Sequence, residues 1–65
     1  MKTLQIRATG KARRAATYKQ YKLLESLEKV ELDINISQFT KRISIQEASE
    51  AIDHALNGGK VEIWY

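Results

Sequence analysis

The chain contains no cysteine, no proline and a single histidine, and two of these shortages each remove a class of chemistry. Without cysteine there is no disulfide framework, no thiolate zinc site and no catalytic thiol. One histidine cannot build a histidine-cluster metal site. No apolar run approaches the roughly 20 residues of a membrane-spanning helix, and the N-terminus lacks the apolar segment of a secretory signal. No low-complexity tract divides the 65 residues. The chain is therefore expected to form one small domain over 1–65, cytoplasmic, with no membrane partner and no cofactor.

Hydrophobic residues supply 43% of the chain and charged residues 29%, which is the balance of a globular domain rather than of a disordered tail. The core must still be small, because a chain of this size buries only about 60% of the surface that its unfolded form exposes. Charge is distributed unevenly. Residues 1–22 hold seven basic side chains (Lys2, Arg7, Lys11, Arg13, Arg14, Lys19, Lys22) and no acidic one, whereas 23–65 hold four basic and eight acidic. Two readings stand. The basic block is either an open surface that attracts polyanions, or it pairs with the acidic remainder inside one fold.

Thr3 to Ala8 alternates, with Leu4, Ile6 and Ala8 on one side and Thr3, Gln5 and Arg7 on the other, which predicts a half-buried strand. Gly10 breaks the pattern and a basic connection follows. Thr17 and Gln20 are spaced as a capping box at the start of a first helix. Its expected apolar face comprises Ala16, Leu23, Leu24, Leu27 and Val30, with Tyr18 and Tyr21 on the flank, Lys19, Lys22, Ser26 and Lys29 on the far side, and an end near Lys29. Val30, Leu32, Ile34 and Ile36 alternate with polar residues, so 30–37 reads as a strand, with an extended ordered loop as the other reading. Phe39 to Arg42 reads as a polar connection with one aromatic plug.

Ser44 and Glu47 form a second capping box, with Ile43 placed to staple against Ala48. Ile45, Ala48, Ala51, Ile52, Ala55 and Leu56 share one face of this second helix. Glu47, Glu50 and Asp53 lie opposite, with His54 beside them. Three alanines in the apolar stripe permit close approach of the first helix. Asn57-Gly58-Gly59 stops the helix. Lys60 to Tyr65 alternates again, with Val61, Ile63 and Tyr65 facing in and Trp64 facing out. The expected fold is α+β: a small two- to three-stranded sheet packed on one face by two capped helices, order β-α-β-α-β. The first and last strands are candidates to pair, and crossovers are expected to be right-handed.

The segments Ala16-Thr17-Tyr18-Lys19-Gln20 and Ile43-Ser44-Ile45-Gln46-Glu47-Ala48-Ser49, with Leu24, Leu27, Ile52 and Leu56 at the apolar positions, resemble short two-helix modules of bacterial and bacteriophage proteins. Those modules have no characterised function, and some are appended to proteins that handle DNA. The resemblance covers about residues 16–56 and implies a phage-like or bacterial origin more than an activity.

No catalytic constellation is visible. Glu50 and His54 are four apart on a helix face opposite the apolar stripe, where a surface pair is expected rather than a dyad. Asp53 with His54 lacks a third metal ligand. Gly10-Lys11 lacks the remainder of a phosphate-binding loop. The expected role is binding without catalysis, with nucleic acid as the first partner class. Arg7, Lys11, Arg13, Arg14, Lys19 and Lys22 are the candidate phosphate contacts, and Tyr18 is a candidate stacking residue. Six such contacts correspond to a slope of log affinity on log salt of roughly −4 to −5. The other reading of Tyr18 and Tyr21 is that each ring caps the core. The second partner class is a protein, such as a host protein held by a phage-encoded effector, with Trp64 and Tyr65 as interface anchors. A homodimer through an edge strand or the Trp64 face belongs to the same reading. Trp64 folding over the sheet edge to cover its own core is the alternative.

Overall fold

The computed structural model describes residues 2–8, 13–37, 39 and 41–65. Lys11 and Gly10 lie outside the described residues. The elements follow in the order β1 (Leu4–Arg7), α1 (Tyr18–Ser26), β2 (Val30–Leu32), α2 (Ile45–Leu56) and β3 (Val61–Trp64). The fold is α+β, with three parallel strands in the order β1-β3-β2. The last strand is central and is the most deeply buried on its inner face: Val61 and Ile63 are enclosed, in register with Leu4 and Ile6 on one side and with Val30 and Leu32 on the other.

Both helices cover the same face. Leu24 of α1, Ala48, Ala51 and Ala55 of α2, and Ile6, Val61 and Ile63 of the sheet belong to one core, which Ala8, Ala16, Tyr21, Ile36 and Ile43 complete. Alternation places Gln5, Arg7, Glu31, Glu62 and Trp64 on the opposite face, which no described element covers. The chain runs from one sheet edge to the other and then returns to the centre. With both helices on one face, opposite directions of travel give the two crossovers opposite hands, so uniform right-handedness does not hold. The side chains supply the reason. The polar face offers nothing against which a second helix could bury an apolar stripe.

Both capping boxes form. Thr17 accepts from the Gln20 N–H at 3.2 Å while the Gln20 side chain accepts from the Thr17 N–H at 2.9 Å. Ser44 and Glu47 do the same at 3.0 Å in each direction. Helix α1 ends at Ser26, earlier than expected, and is rotated relative to the expected stripe. Tyr21 is buried and Leu23 is exposed, because the face centres on Leu24 and the Tyr21 hydroxyl accepts the Ile43 backbone N–H at 3.1 Å inside the core. In α2 the three alanines are buried as expected, while Ile45 and Leu56 at its two ends are exposed.

The strand expected over 30–37 stops at Leu32. Asp33 ends it: its carboxylate accepts the Asn35 N–H at 2.9 Å and its carbonyl accepts the Ile36 N–H at 3.0 Å, a local turn that competes with the ladder. Ile34 is thereby turned out, 96% exposed, and Ile36 in. Phe39 is 83% exposed and plugs nothing; Ile36 and Ile43 fill the core beneath the connection instead.

Helix α2 closes through Asn57 and Gly58. The Gly58 N–H donates to Ala55 O at 3.1 Å and the Gly59 N–H to His54 O at 2.9 Å, with Gly58 at φ +91°. His54 makes no pair with Glu50; its Nε2–H donates to Lys2 O at 2.6 Å and ties the start of β1 to the end of α2. These glycines have different tasks. A Cβ at Gly58 meets no atom within 4 Å, so Gly58→Ala carries backbone strain alone and is expected to cost about 1 to 2 kcal/mol. A Cβ at Gly59 lands on the His54 ring, 2.5 Å from Cδ2 and 2.8 Å from Cε1. Gly59→Ala must therefore displace the ring and release Lys2. Amide exchange checks the distinction: only Gly59→Ala is expected to deprotect the N-terminal end of β1 beyond the global loss of stability.

Candidate nucleic-acid interface

In a parallel sheet, every strand that feeds a helix does so at the same edge. The connections over 8–17 and 33–44 therefore leave from one edge of this domain, at the carboxyl ends of β1 and β2, and Tyr65 follows the carboxyl end of β3 beside them. Here the two connections are joined. Ala15 bridges Ser44, the Ala16 N–H donates to Ile43 O at 2.9 Å and the Ile45 N–H donates to Arg14 O at 2.9 Å. The Gln20 side chain donates to Ile45 O at 3.4 Å, so both helix N-termini start from this joint.

The joint gathers positive charge from two distant parts of the chain. Arg13 and Arg14 enter it from the first connection, and Lys41 and Arg42 from the second. Lys19 continues the charge on the first turn of α1 and Lys22 on the second. Arg13, Arg14, Lys19, Lys22 and Arg42 are exposed and Lys41 is half-buried. The positive ends of two helix dipoles add to the same potential.

The ion pairs among the described residues are Lys22–Glu25 at 4.0 Å and Lys60–Glu31 at 3.7 Å, both exposed and individually worth little. Neither engages Arg13, Arg14, Lys19 or Arg42. Two acidic groups share this edge: Glu47 in the first turn of α2, whose carboxylate is committed to the Ser44 N–H at 3.0 Å, and Asp33 at the start of the second connection, committed to the Asn35 N–H. The others include Glu31 and Glu62 on the uncovered sheet face, where Glu62 accepts from the Gln5 amide at 3.2 Å, and Glu50 and Asp53 exposed on α2.

The candidate residues are thus divided. Arg13 and Arg14 lie on the first connection, and Tyr18, Lys19 and Lys22 follow on the first two turns of α1, on the helix side of the sheet. Arg7 lies on the uncovered sheet face in register with Trp64, and Lys11 is outside the described residues. Lys22 also stands 5.5 Å from the centroid of the Tyr18 ring, which is 59% exposed. Tyr21 belongs to the core and is removed from the stacking set. Trp64 is 39% exposed on the uncovered face. Tyr65 does not face in as alternation predicts: it follows the last residue of β3, is 53% exposed, and holds Lys41 Nζ 4.1 Å from its ring centroid.

Lys41 and Arg42 are the members that reasoning from the sequence missed. They sit in the acidic two-thirds of the chain, and the bridge between Ala15 and Ser44 sets their connection beside the one that bears Arg13 and Arg14, with the two pairs toward opposite ends of the antiparallel joint. The available signal was the order of elements, since a strand that precedes each helix puts both strand-to-helix connections at one edge whenever the strands are parallel. Among the described residues no group of three His, Asp or Glu is placed to hold a metal, and no helix is long and apolar enough to cross a membrane. No family model, curated protein or solved structure matches the chain.

Proposed function

We propose that this protein is a small, non-catalytic nucleic-acid-binding domain whose contact surface is the cationic edge at the carboxyl ends of its strands. One observation carries the reading: Arg13, Arg14, Lys19 and Arg42 stand exposed around the joint of the two connections, with no intramolecular ion pair among the described residues. Cations without carboxylate partners keep their full attraction for phosphate, and binding is driven by release of the counterions that a polyanion carries. The joint also fixes backbone on both sides of the cluster, so the charges project from ordered chain.

Charge reversal tests it. Arg13→Glu with Arg14→Glu reverses two of the exposed cations and leaves the Arg14 carbonyl free to accept the Ile45 N–H as before. Exposed substitutions of this kind change stability by about 0.5 kcal/mol or less. The double variant is expected to keep its circular dichroism spectrum and melting temperature and to bind labelled oligonucleotides at least tenfold more weakly at low salt. Unchanged affinity in a folded double variant contradicts the proposal.

A second reading rests on Trp64. Parallel sheets are ordinarily covered on both faces, and here an exposed indole lies on the uncovered one. A protein partner or a second copy seated there makes Trp64→Ala alter sedimentation or partner capture while leaving oligonucleotide binding intact.

A further inference from the structure

Beside the cationic edge lies an open notch of about 140 Å³ between α1 and the connection that follows β2, lined by Tyr18, Tyr21, Lys22, Glu25, Ile36, Ser37 and Phe39. A shallower hollow continues from it past Ser37 to Ile34, Lys41 and Tyr65. Three aromatic rings border these depressions with most of their surface in water: Tyr18 at 59%, Phe39 at 83% and Tyr65 at 53%. A small domain with few apolar side chains to spend has left three rings out of its core on one side, while Tyr21, one helical turn from Tyr18, is fully used inside it.

Two of these rings carry a lysine. Lys22 Nζ stands 5.5 Å from the Tyr18 centroid and Lys41 Nζ 4.1 Å from the Tyr65 centroid. A cation over one face of a ring leaves the other face for a nucleobase, and Lys41, outside both ion pairs of the described residues, is the one of the two placed to reach the adjoining phosphate. Glu25, the carboxylate at the notch, is already matched by Lys22 at 4.0 Å. Alternating exposed rings and cations match single-stranded nucleic acid, whose unpaired bases present π-faces that a duplex keeps stacked within itself.

Resting on the function proposed above, we infer that the preferred ligand is single-stranded, with bases stacked on Tyr18 and Phe39 at the notch and on Tyr65 beyond it while the arginines at the joint hold the backbone. The reading specifies the ligand class and adds Phe39 and Tyr65 to the binding set.

Fluorescence anisotropy with a labelled single-stranded oligothymidylate and with a labelled duplex of equal length separates the possibilities. Wild type is expected to favour the single strand. Phe39→Ala with Tyr18→Ala, both at exposed positions, is expected to weaken single-strand binding by roughly 30-fold or more, two stacked bases at about 1 to 3 kcal/mol each, and duplex binding less than twofold; Phe39→Tyr is expected to keep single-strand affinity. Equal loss on both probes, no loss on the single strand, or a wild-type preference for duplex overturns the stacking assignment and leaves the cationic edge standing. If Arg13→Glu with Arg14→Glu leaves both affinities unchanged, the underlying reading fails and this one with it. Concentration-dependent sedimentation that the Phe39 and Tyr18 double variant abolishes, with single-strand binding retained, assigns the rings to contact between copies and likewise overturns it.

Discussion

Leu24→Ala is expected to destabilise the domain by about 2 to 5 kcal/mol. Leu24 is fully buried at the centre of the inner face of α1, among the largest of the enclosed side chains. A nine-residue helix has no stability of its own in water, so its place on the sheet depends on what it buries. The whole domain, at roughly 0.05 to 0.15 kcal/mol per residue, has about 3 to 10 kcal/mol in total. Loss of one leucine therefore removes a large share. In urea, where a small protein has a slope near 1 kcal/mol/M, the midpoint is expected to fall by about 2 M or more. A change below about 1 kcal/mol contradicts the packing of α1 against α2 and the sheet.

The second large effect comes from a single oxygen. Tyr21→Phe keeps the ring in the core and deletes the hydroxyl that accepts the Ile43 N–H at 3.1 Å. That donor is buried beneath a fully enclosed Ile43, and a buried donor left without a partner costs about 1 to 3 kcal/mol. In a domain of this length each kcal/mol shifts the melting temperature by about 4 to 8 °C. Tyr18→Phe supplies the control, because its hydroxyl belongs to an exposed side chain and its loss is expected to leave the melting temperature within about 3 °C. Equal shifts in the two variants contradict the role given to Tyr21. That role is positional as well as energetic: Ile43 precedes the Ser44 cap, so the hydroxyl holds the entry of α2, and with it Lys41 and Arg42, against α1.

The parts of the fold that local chemistry determines were legible in the sequence. Each capping box, the glycine stop of α2 and the alternation of β1 and β3 depend on residues within a few positions of one another. The parts that failed depend on hydrogen-bonding competition, local in one case and distant in the other, that hydrophobic periodicity does not register. Ile34 and Ile36 satisfied the period of a strand, but Asp33 turned the chain before the ladder could extend. Leu23 outranks Tyr21 on hydrophobicity alone, and what reversed them was an N–H 22 residues away that needed an acceptor.

The candidate site divided in the same way. Arg13 and Arg14 stood out as a local cluster. Arg7 shared their stretch of sequence, yet strand alternation carried it to the other face of the sheet. Lys41 and Arg42 joined only through parallel strand order and the bridge between Ala15 and Ser44, which no local pattern encodes. The exposed ring of Phe39 lies on the same connection, where its N–H donates to the Ser37 hydroxyl at 3.2 Å.

The cationic edge is tested most directly by the salt dependence of binding to a labelled single-stranded oligonucleotide. Arg7 faces away and Lys22 is paired with Glu25, so the contacting cations are Arg13, Arg14, Lys19, Lys41 and Arg42. Five contacts on a single strand predict that log affinity falls with log salt at a slope of about −3.5. A slope near zero, or no binding at low salt, contradicts the account.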